Sequence, residues 1–315
     1  MTAYRFEPRR ELGRTGFKAT QLGLGDLADR QVPLESCVAT MLRGFESGLN
    51  VADTAPGYED GYSETIVGRA VREWCGASAE KRSRLFVIDK VDHPEQPVAP
   101  QVEASLARLG LPAVDLFVFH GVSKLETWKQ LAAAGGGMEQ LGECARRGLA
   151  RRRGISSHHP AVLRAALRSG LCDVVLFPVG PFVDARFLRE TLPLARRLGV
   201  GTVCFKTFGA GKLVGDTTGY NRPLQARPRG KISSGGEAGR PVLPHLSAAE
   251  CLAFTLSYDP DVALLGLSFP NEQDEAFAAA AAFTKPLSPR ELAALRRRAV
   301  RAVAGKGPCW WNPKP

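Results

Sequence analysis

Four polar side chains interrupt or follow apolar stretches in the first 120 residues of the chain. They are Asp53 in NVADTAPGY, Tyr58 five residues later, Lys90 in LFVIDKV, and His120 at the end of VDLFVFH. Each one alone is more often a turn cap, a loop aromatic, an edge lysine or a core histidine than a catalytic group. Their joint occurrence at equivalent positions of successive apolar segments instead indicates one shared site.

The residue types of this set predict proton donation to an oxygen. A buried lysine beside a tyrosine favours the phenolate, so Lys90 is expected to lower the pKa of Tyr58 from about 10. Asp53 would pair with Lys90 and keep its ammonium charged. His120 would orient and polarise a carbonyl oxygen together with the tyrosine hydroxyl. These donors suit an oxygen that becomes an alkoxide, and the set predicts hydride addition to a carbonyl.

Other reaction classes have little support in the sequence. It contains no Ser-His-Asp order, no His-Glu-x-x-His motif and no paired carboxylates at one strand end. A hydrolase or a metalloenzyme is therefore disfavoured, and no metal site is predicted.

Short apolar segments alternate with segments of helical periodicity along the whole chain, and glycine or proline marks most of the changes. The predicted strands are 21–27, 50–54, 85–91, 114–120, 150–156, 173–179, 201–207 and 262–267. The predicted helices are 33–46, 63–74, 101–109, 138–147, 161–169, 186–198, 247–258 and 271–283, with an additional helix at 288–304. This rhythm predicts a βα repeat.

Eight strands, each followed by a helix, predict one α/β domain over residues 1–315, a single (β/α)₈ TIM barrel with an extra C-terminal helix and a long loop after strand 7. A doubly wound sheet is the alternative, but the segment Gly23-Leu24-Gly25-Asp26-Leu27-Ala28 lacks the third glycine of its nucleotide-binding turn. In a barrel, catalytic groups lie at the C-terminal ends of strands, where all four polar residues fall.

The composition is that of an ordinary globular protein. Of 315 residues, 44% are hydrophobic and 23% charged, enough to bury a sizeable core. The seven cysteines are odd in number and scattered, and no segment resembles a signal peptide or a membrane span, so a cytoplasmic protein without a membrane partner is expected. The net charge of +10 comes from dispersed arginines without interleaved aromatics, which favours solvated surface over a nucleic-acid partner.

The segment Asp53-Thr54-Ala55-Pro56-Gly57-Tyr58, followed by Ser63, Glu64 and Gly68, resembles the signature of the aldo/keto reductase superfamily. The resemblance runs from about residue 12 to about residue 289. It implies that Asp53, Tyr58, Lys90 and His120 form the family's catalytic tetrad. It also implies an NAD(P)-dependent oxidoreductase that acts on a small aldehyde, ketone, sugar or alcohol.

The same resemblance implies a nicotinamide cofactor that lies extended across the barrel mouth. In this arrangement Ser156 holds the carboxamide and Phe205 stacks on the nicotinamide ring. The other cofactor-binding residues that it implies are Gly25, Asp26, Ser157, Lys206, Thr207, Phe208, Gly211, Lys212, Gly266, Ser268 and Glu272.

Two positions depart from the family pattern. Ser157 stands in place of the usual asparagine and Leu176 in place of a glutamine, so two carboxamide contacts are missing. The basic residues that often hold the 2′-phosphate are also absent from 268–271. The resemblance favours NADP(H), which the family usually binds, and leaves NAD(H) as the alternative.

The loops are expected to set the substrate. Residues 214–246 are predicted to be a mobile cover over the cofactor. Trp128 is either a wall of the substrate pocket or a packing residue. Trp310 and Trp311, in the tail at 306–315, either dock on the barrel or form an oligomer contact, and the oligomeric state stays open. A nucleotide-binding sensor or regulatory barrel with little turnover is the alternative function.

Overall fold

Eight parallel strands close into a barrel in the computed structural model, which describes residues 4–215, 242–267 and 269–312. A short antiparallel hairpin, β1 (Arg10–Glu11) and β2 (Lys18–Ala19), precedes the barrel. The barrel strands are β3 (Leu22–Leu24), β4 (Val51–Asp53), β5 (Phe86–Val91), β6 (Val114–Phe119), β7 (Ala150–Ser156), β8 (Val174–Pro178), β9 (Gly201–Phe205) and β10 (Val262–Leu265). Each pairs with the next in chain order, and β10 pairs with β3 to close the barrel.

The helices connect successive strands and cover the outside of the barrel. They are α1 (Leu34–Glu46), α2 (Tyr62–Cys75), α3 (Ala79–Ser83), α4 (Val98–Leu109), α5 (Leu125–Ala132), α6 (Gly137–Arg146), α7 (Pro160–Ser169), a π-helical turn (Phe187–Thr191), α8 (Leu192–Leu198), α9 (Ala248–Ser257), α10 (Pro270–Ala282) and α11 (Pro289–Ala302). Reciprocal capping bonds at Ser247 and Ser288 begin α9 and α11.

The predicted α/β barrel is confirmed, and the element ends account for most of the differences. The predicted helix at 101–109 begins three residues earlier, at Val98, and the one at 186–198 starts with the π-helical turn. Helices α3 and α5 and the β1–β2 hairpin were not predicted. The hairpin strands have two residues each, too few to show an alternating pattern.

Apolar side chains form two cores, one inside the barrel and one between strands and helices. On β5, Phe86 and Ile88 face the interior, whereas Val87 and Val91 face the helices. Because side chains alternate along a strand, Lys90 points into the barrel and Asp89 points outward. This alternation places neighbouring charged residues in different environments.

Helix α2, which follows the Asp53–Tyr58 segment, packs closely on α4. A Cβ at Gly68 would lie 1.9 Å from the carbonyl oxygen of Leu109, so only glycine permits this approach. Glu64 is fully buried beside it and accepts a hydrogen bond from Arg108 Nη2 at 3.1 Å. Gly68 and Glu64 of the signature therefore fix α2, the helix that follows the loop of Tyr58.

None of the helices in the described residues is long and apolar enough to cross a membrane.

Candidate active site

Lys90 and Asp53 form a buried ion pair at the C-terminal end of the barrel. Lys90 Nζ lies 2.9 and 2.8 Å from the two carboxylate oxygens of Asp53, and it also donates to the carbonyl of Thr54 at 2.6 Å. The two side chains are only 2% and 5% exposed. Burial lowers the pKa of Lys90, but Asp53 and Tyr58 raise this pKa by more, so the ammonium remains charged.

The ring of Tyr58 lies against the ammonium of Lys90. Lys90 Nζ is 4.5 Å from the centroid of the Tyr58 ring, and the His120 ring is 5.5 Å away in an edge-on arrangement. Burial raises the pKa of Tyr58 above its ordinary value, and Lys90 lowers it by less. The prediction that Lys90 brings this pKa below about 10 is therefore wrong for the ligand-free protein. The phenol is in its protonated, proton-donating form throughout the neutral range.

Asp92 is a site residue that the sequence reasoning missed. Its Oδ1 lies 2.6 Å from His120 Nδ1, and its Oδ2 accepts the backbone N–H of Gly57 at 2.8 Å. Burial raises the pKa of Asp92, but hydrogen bonds from His120 and Gly57 lower it by more, so the carboxylate stays ionised. Asp92 thus orients the His120 ring and anchors the loop of Tyr58.

The strand register brings the four predicted residues together. Asp53 on β4 pairs with Ile88 on β5, and Lys90 on β5 pairs with Val118 on β6, two residues before His120. Three adjacent parallel strands therefore end at one place, and each contributes to the cluster. The predicted convergence of Asp53, Tyr58, Lys90 and His120 is what the structure shows.

Asp89 lies on the outer side of the same strand in a fully buried environment. Its Oδ1 accepts the backbone N–H of Lys90 at 2.8 Å, but its Oδ2 is buried without a hydrogen-bond partner among the described residues. Burial raises the pKa of Asp89 well above its ordinary value, and the nearby Glu64 carboxylate raises it further. A carboxyl group whose pKa is raised therefore lies directly behind Lys90.

The two serines at the end of β7 have different roles. Ser156 Oγ accepts the backbone N–H of Gly121 at 2.7 Å, which leaves its own hydrogen available to another acceptor. Ser157 Oγ donates to the carbonyl of Val122 at 2.6 Å and accepts the N–H of His159 at 3.0 Å. These local bonds use the hydroxyl hydrogen of Ser157 and one of its two lone pairs, and its role as a cofactor contact stays a prediction.

An aromatic group lies next to these serines. The His158 ring is 5.2 Å from Phe205 and 5.0 Å from Trp310, measured between centroids, and His158 Nε2 is buried without a partner among the described residues. Lys206 Nζ lies 4.4 Å above the Trp310 ring. Phe205 itself is partly exposed at the end of β9.

The loop after β9 bonds to the C-terminal tail. Lys212 Nζ donates to the carbonyls of Lys306 and Pro308 at 2.5 and 2.9 Å, and Lys306 is fully buried. These bonds anchor the tail, and the cofactor-binding role predicted for Lys212 stays a prediction. Thr207 Oγ1 is buried and has no hydrogen-bond partner in the described part of the chain.

Four further predicted residues lie where β3 and β10 end. Gly25 donates its N–H to Leu265 at 2.9 Å, and a Cβ there would be 3.5 Å from Gly266 N. Asp26 Oδ1 accepts the N–H of Ala28 at 2.9 Å, whereas Glu272 Oε2 caps α10 by accepting the N–H of Phe269 at 3.3 Å. These contacts place Gly25 and Gly266 side by side at the mouth.

Several assignments concern parts of the chain outside this site. Trp128 is 4% exposed and packs in the core between strands and helices, so its role as a pocket wall is corrected to packing. Trp311 is fully buried and donates Nε1–H to the carbonyl of Phe182 at 3.0 Å, which favours docking of the tail on the barrel.

Phe208 is 7% exposed and Gly211 is buried in the loop after β9. Ser268 and residues 216–241 of the predicted mobile cover lie outside the described residues.

A nicotinamide dinucleotide fits this mouth. Phe205 offers a ring face, Ser156 a donor hydrogen, and the buried atoms His158 Nε2 and Thr207 Oγ1 lack partners among the described residues. Such unpaired buried groups cost free energy unless a ligand or water bonds them.

Comparison with known proteins agrees with this geometry. A family model described as the aldo/keto reductase family matches residues 20–296. An NADH-specific methylglyoxal reductase from Escherichia coli (strain K12) is 29% identical over 243 residues, which are 69% of this chain and 72% of that protein. Pyridoxal 4-dehydrogenase from Microbacterium luteolum is 26% identical over 256 residues, 68% of this chain and 74% of the relative.

Solved structures share the fold. An aldo-keto reductase from Bacillus halodurans in its holo form superposes with a TM-score of 0.65 at 22% identity, over 95% of this chain and 99% of that one. An aldo-keto reductase from Klebsiella pneumoniae in complex with NADPH gives 0.64 at 21% identity, over 94% and 95% of the two chains. With the family model matching most of its length, the chain belongs to the aldo/keto reductase family, an oxidoreductase family.

Proposed function

We propose that this chain reduces a small aldehyde or ketone with a nicotinamide dinucleotide, and that Tyr58 donates the proton. The contact of Lys90 with both Asp53 and the Tyr58 ring carries the proposal. A phenol that lies against a buried ammonium is suited to proton transfer. Its neighbours support transfer to an oxygen that gains negative charge.

The chemistry that the cofactor supplies when bound is hydride transfer to a carbonyl carbon. Tyr58 transfers its hydroxyl proton to the carbonyl oxygen, and hydride and proton together give the alcohol. Lys90 stabilises the phenolate that remains on Tyr58, and Asp53 keeps Lys90 charged and in place. His120, held through Nδ1 by Asp92, presents Nε2 to the substrate oxygen.

Ser156 and Phe205 would hold the nicotinamide at the mouth, and NADP(H) and NAD(H) are both candidates. The Klebsiella pneumoniae structure contains NADPH, whereas the Escherichia coli relative is NADH-specific. Residues 268–271 contain no basic side chain for a 2′-phosphate. We retain NADP(H) as the first candidate from the family resemblance, and titration with both dinucleotides distinguishes them. A cytoplasmic location, with a small-molecule substrate and no nucleic-acid or membrane partner, is part of the same proposal.

The proposal is tested by following nicotinamide absorbance with NADPH and NADH over a panel of carbonyl compounds that includes methylglyoxal and pyridoxal. Tyr58→Phe is expected to lower kcat by about a thousandfold, because general acid catalysis contributes about 10²–10⁴ to rates. Cofactor affinity should stay near the wild-type value, because the ring of Tyr58 is kept.

Tyr62→Phe is the matched control. Tyr62 lies four residues away on α2, and its hydroxyl donates to the carbonyl of Val32 at 3.0 Å, outside the cluster. It should retain wild-type turnover. Equal rates for Tyr58→Phe and Tyr62→Phe would remove Tyr58 from the mechanism. Tight cofactor binding without turnover across the panel would support the sensor alternative instead.

A further inference from the structure

The nicotinamide end of the mouth lacks the two side-chain amides that the family resemblance implies at positions 157 and 176. Leu176 on β8 is fully buried in the barrel interior and offers no polar atom. Ser157 has both hydrogen-bonding functions of its hydroxyl engaged, by Val122 and His159. Ser156 alone would leave a carboxamide, which has both a donor and an acceptor, incompletely bonded.

His158 has the position and the bonding capacity to complete that set. It follows Ser156 and Ser157 directly, and its ring packs between Phe205 and Trp310 at centroid distances of 5.2 and 5.0 Å. Its Nε2 is buried without a partner among the described residues. A buried polar atom of this kind costs about 1–3 kcal/mol until something bonds to it.

The ring is also in the right charge state for such a bond. Burial, with smaller contributions from the neighbouring Lys206 and His120, lowers the pKa of His158 to about 3. The imidazole is therefore neutral at physiological pH, with one N–H donor and one bare nitrogen acceptor. That complement resembles the donor and acceptor pair of a side-chain amide.

We propose that His158 Nε2 bonds to the carboxamide of the bound nicotinamide and, with Ser156, replaces the missing side-chain amides. This inference rests on the proposed function, since it requires a nicotinamide against Phe205. His158, the last residue of the Ser-Ser-His sequence, is accordingly a cofactor-orienting residue.

Isothermal titration calorimetry tests the inference without turnover. The wild type and His158→Phe are titrated with NADP⁺ and with 2′-phospho-ADP-ribose, which lacks the nicotinamide, or with NAD⁺ and ADP-ribose if the chain prefers NAD. Phe fills the same space between the two rings and removes both nitrogens. We expect Kd for the dinucleotide to rise about tenfold, as for one lost hydrogen bond, and Kd for the truncated ligand to stay unchanged.

Two more variants sharpen the result. His158→Gln restores a donor and an acceptor and should recover most of the dinucleotide affinity. His159→Phe, the same substitution one residue along, should bind both ligands as the wild type does.

The outcomes separate this inference from the proposed function. The inference is overturned if His158→Phe weakens binding of both ligands equally or weakens neither. If the wild type still binds dinucleotide and turns over carbonyls, the proposed function stands. A wild type that binds neither dinucleotide overturns both.

Discussion

Lys90 and Lys306 are both buried, and their partners differ. Lys90, 2% exposed, bonds to the carboxylate of Asp53 inside the barrel. Lys306, fully buried in the C-terminal tail, donates to the main-chain carbonyls of Lys212 and Pro244, each at 2.9 Å, and of Gly215. The first ammonium bonds to an opposite charge, and the second bonds to carbonyls from separate segments of the described chain.

The difference shows how one residue type serves chemistry or anchoring. The charge of Lys90 acts on a neighbouring group, because the Tyr58 ring lies 4.5 Å away. The bonds of Lys306 join the tail to the loop after β9, and Lys212 returns a bond to the carbonyl of Lys306. Partners, rather than burial, therefore distinguish Lys90, which we propose to act in the reaction, from Lys306.

Lys90→Met gives the largest expected effect and tests the catalytic side of this comparison. Turnover of the folded protein should fall by about a thousandfold or more, because the phenolate loses its stabilising charge. The variant should also unfold more easily, since Asp53 is left as an uncompensated buried carboxylate. Absorbance assays and denaturant titration measure the two effects.

The double variant Asp53→Asn with Lys90→Met separates them. Removing the uncompensated charge should restore much of the stability but none of the turnover. Recovery of turnover along with stability would mean that Lys90 acts on folding rather than on the reaction.

Lys306→Met tests the anchoring side. The free energy of unfolding should fall by about 3 kcal/mol, because buried carbonyls lose their donor and each costs about 1–3 kcal/mol when unpaired. Urea denaturation measures this change against Lys285→Met, an exposed lysine whose loss should cost little. Turnover of the folded Lys306→Met protein should stay within about tenfold of wild type. A loss as severe as that of Lys90→Met would end the distinction between the two lysines.

Asp89→Asn gives the smallest effect and concerns stability only. The pKa of Asp89 is raised in the folded state, so its protonation stabilises the fold at low pH, and this contribution is lost as pH rises through the folded pKa. Asn keeps an acceptor for the Lys90 N–H and does not titrate. The variant should therefore gain about 2–4 °C in Tm over wild type at pH 8, and less at pH 5.

Asp92→Asn is the control with the opposite sign. The pKa of Asp92 is lowered, so its contribution is present above the ordinary carboxyl range and is lost only as pH falls below it. The variant should therefore have a lower Tm than wild type at both pH 5 and pH 8, opposite in sign to the gain expected for Asp89→Asn. A Tm gain for Asp89→Asn that does not grow between pH 5 and pH 8 would mean that the pKa of Asp89 is not raised in the folded protein.

The sequence predicted the barrel and the tetrad because both depend on local patterns. Strand periodicity showed where each β-strand ends, and a polar residue at an apolar strand end is conspicuous, as Lys90 is. The direction of the Tyr58 pKa was wrong, because the opposing effect of burial depends on how tightly the folded chain surrounds the phenol. That packing has no signature in the spacing of residues.

The missed residues depend on tertiary contacts. Asp92 looks like a loop charge, and only the folded chain brings it to His120. Lys306 lies in Gly-Lys-Gly, a typical solvated turn, but the docked tail buries it. Trp128 was a candidate because its loop follows His120, yet helix α5 turns its ring into the core.

The bonds of Lys306 to Gly215 and Pro244 also join two distant points of the chain. Both carbonyls accept from the same ammonium, so one side chain of the C-terminal tail holds these two backbone positions together. Truncation of the tail before Lys306 would therefore release both points at once.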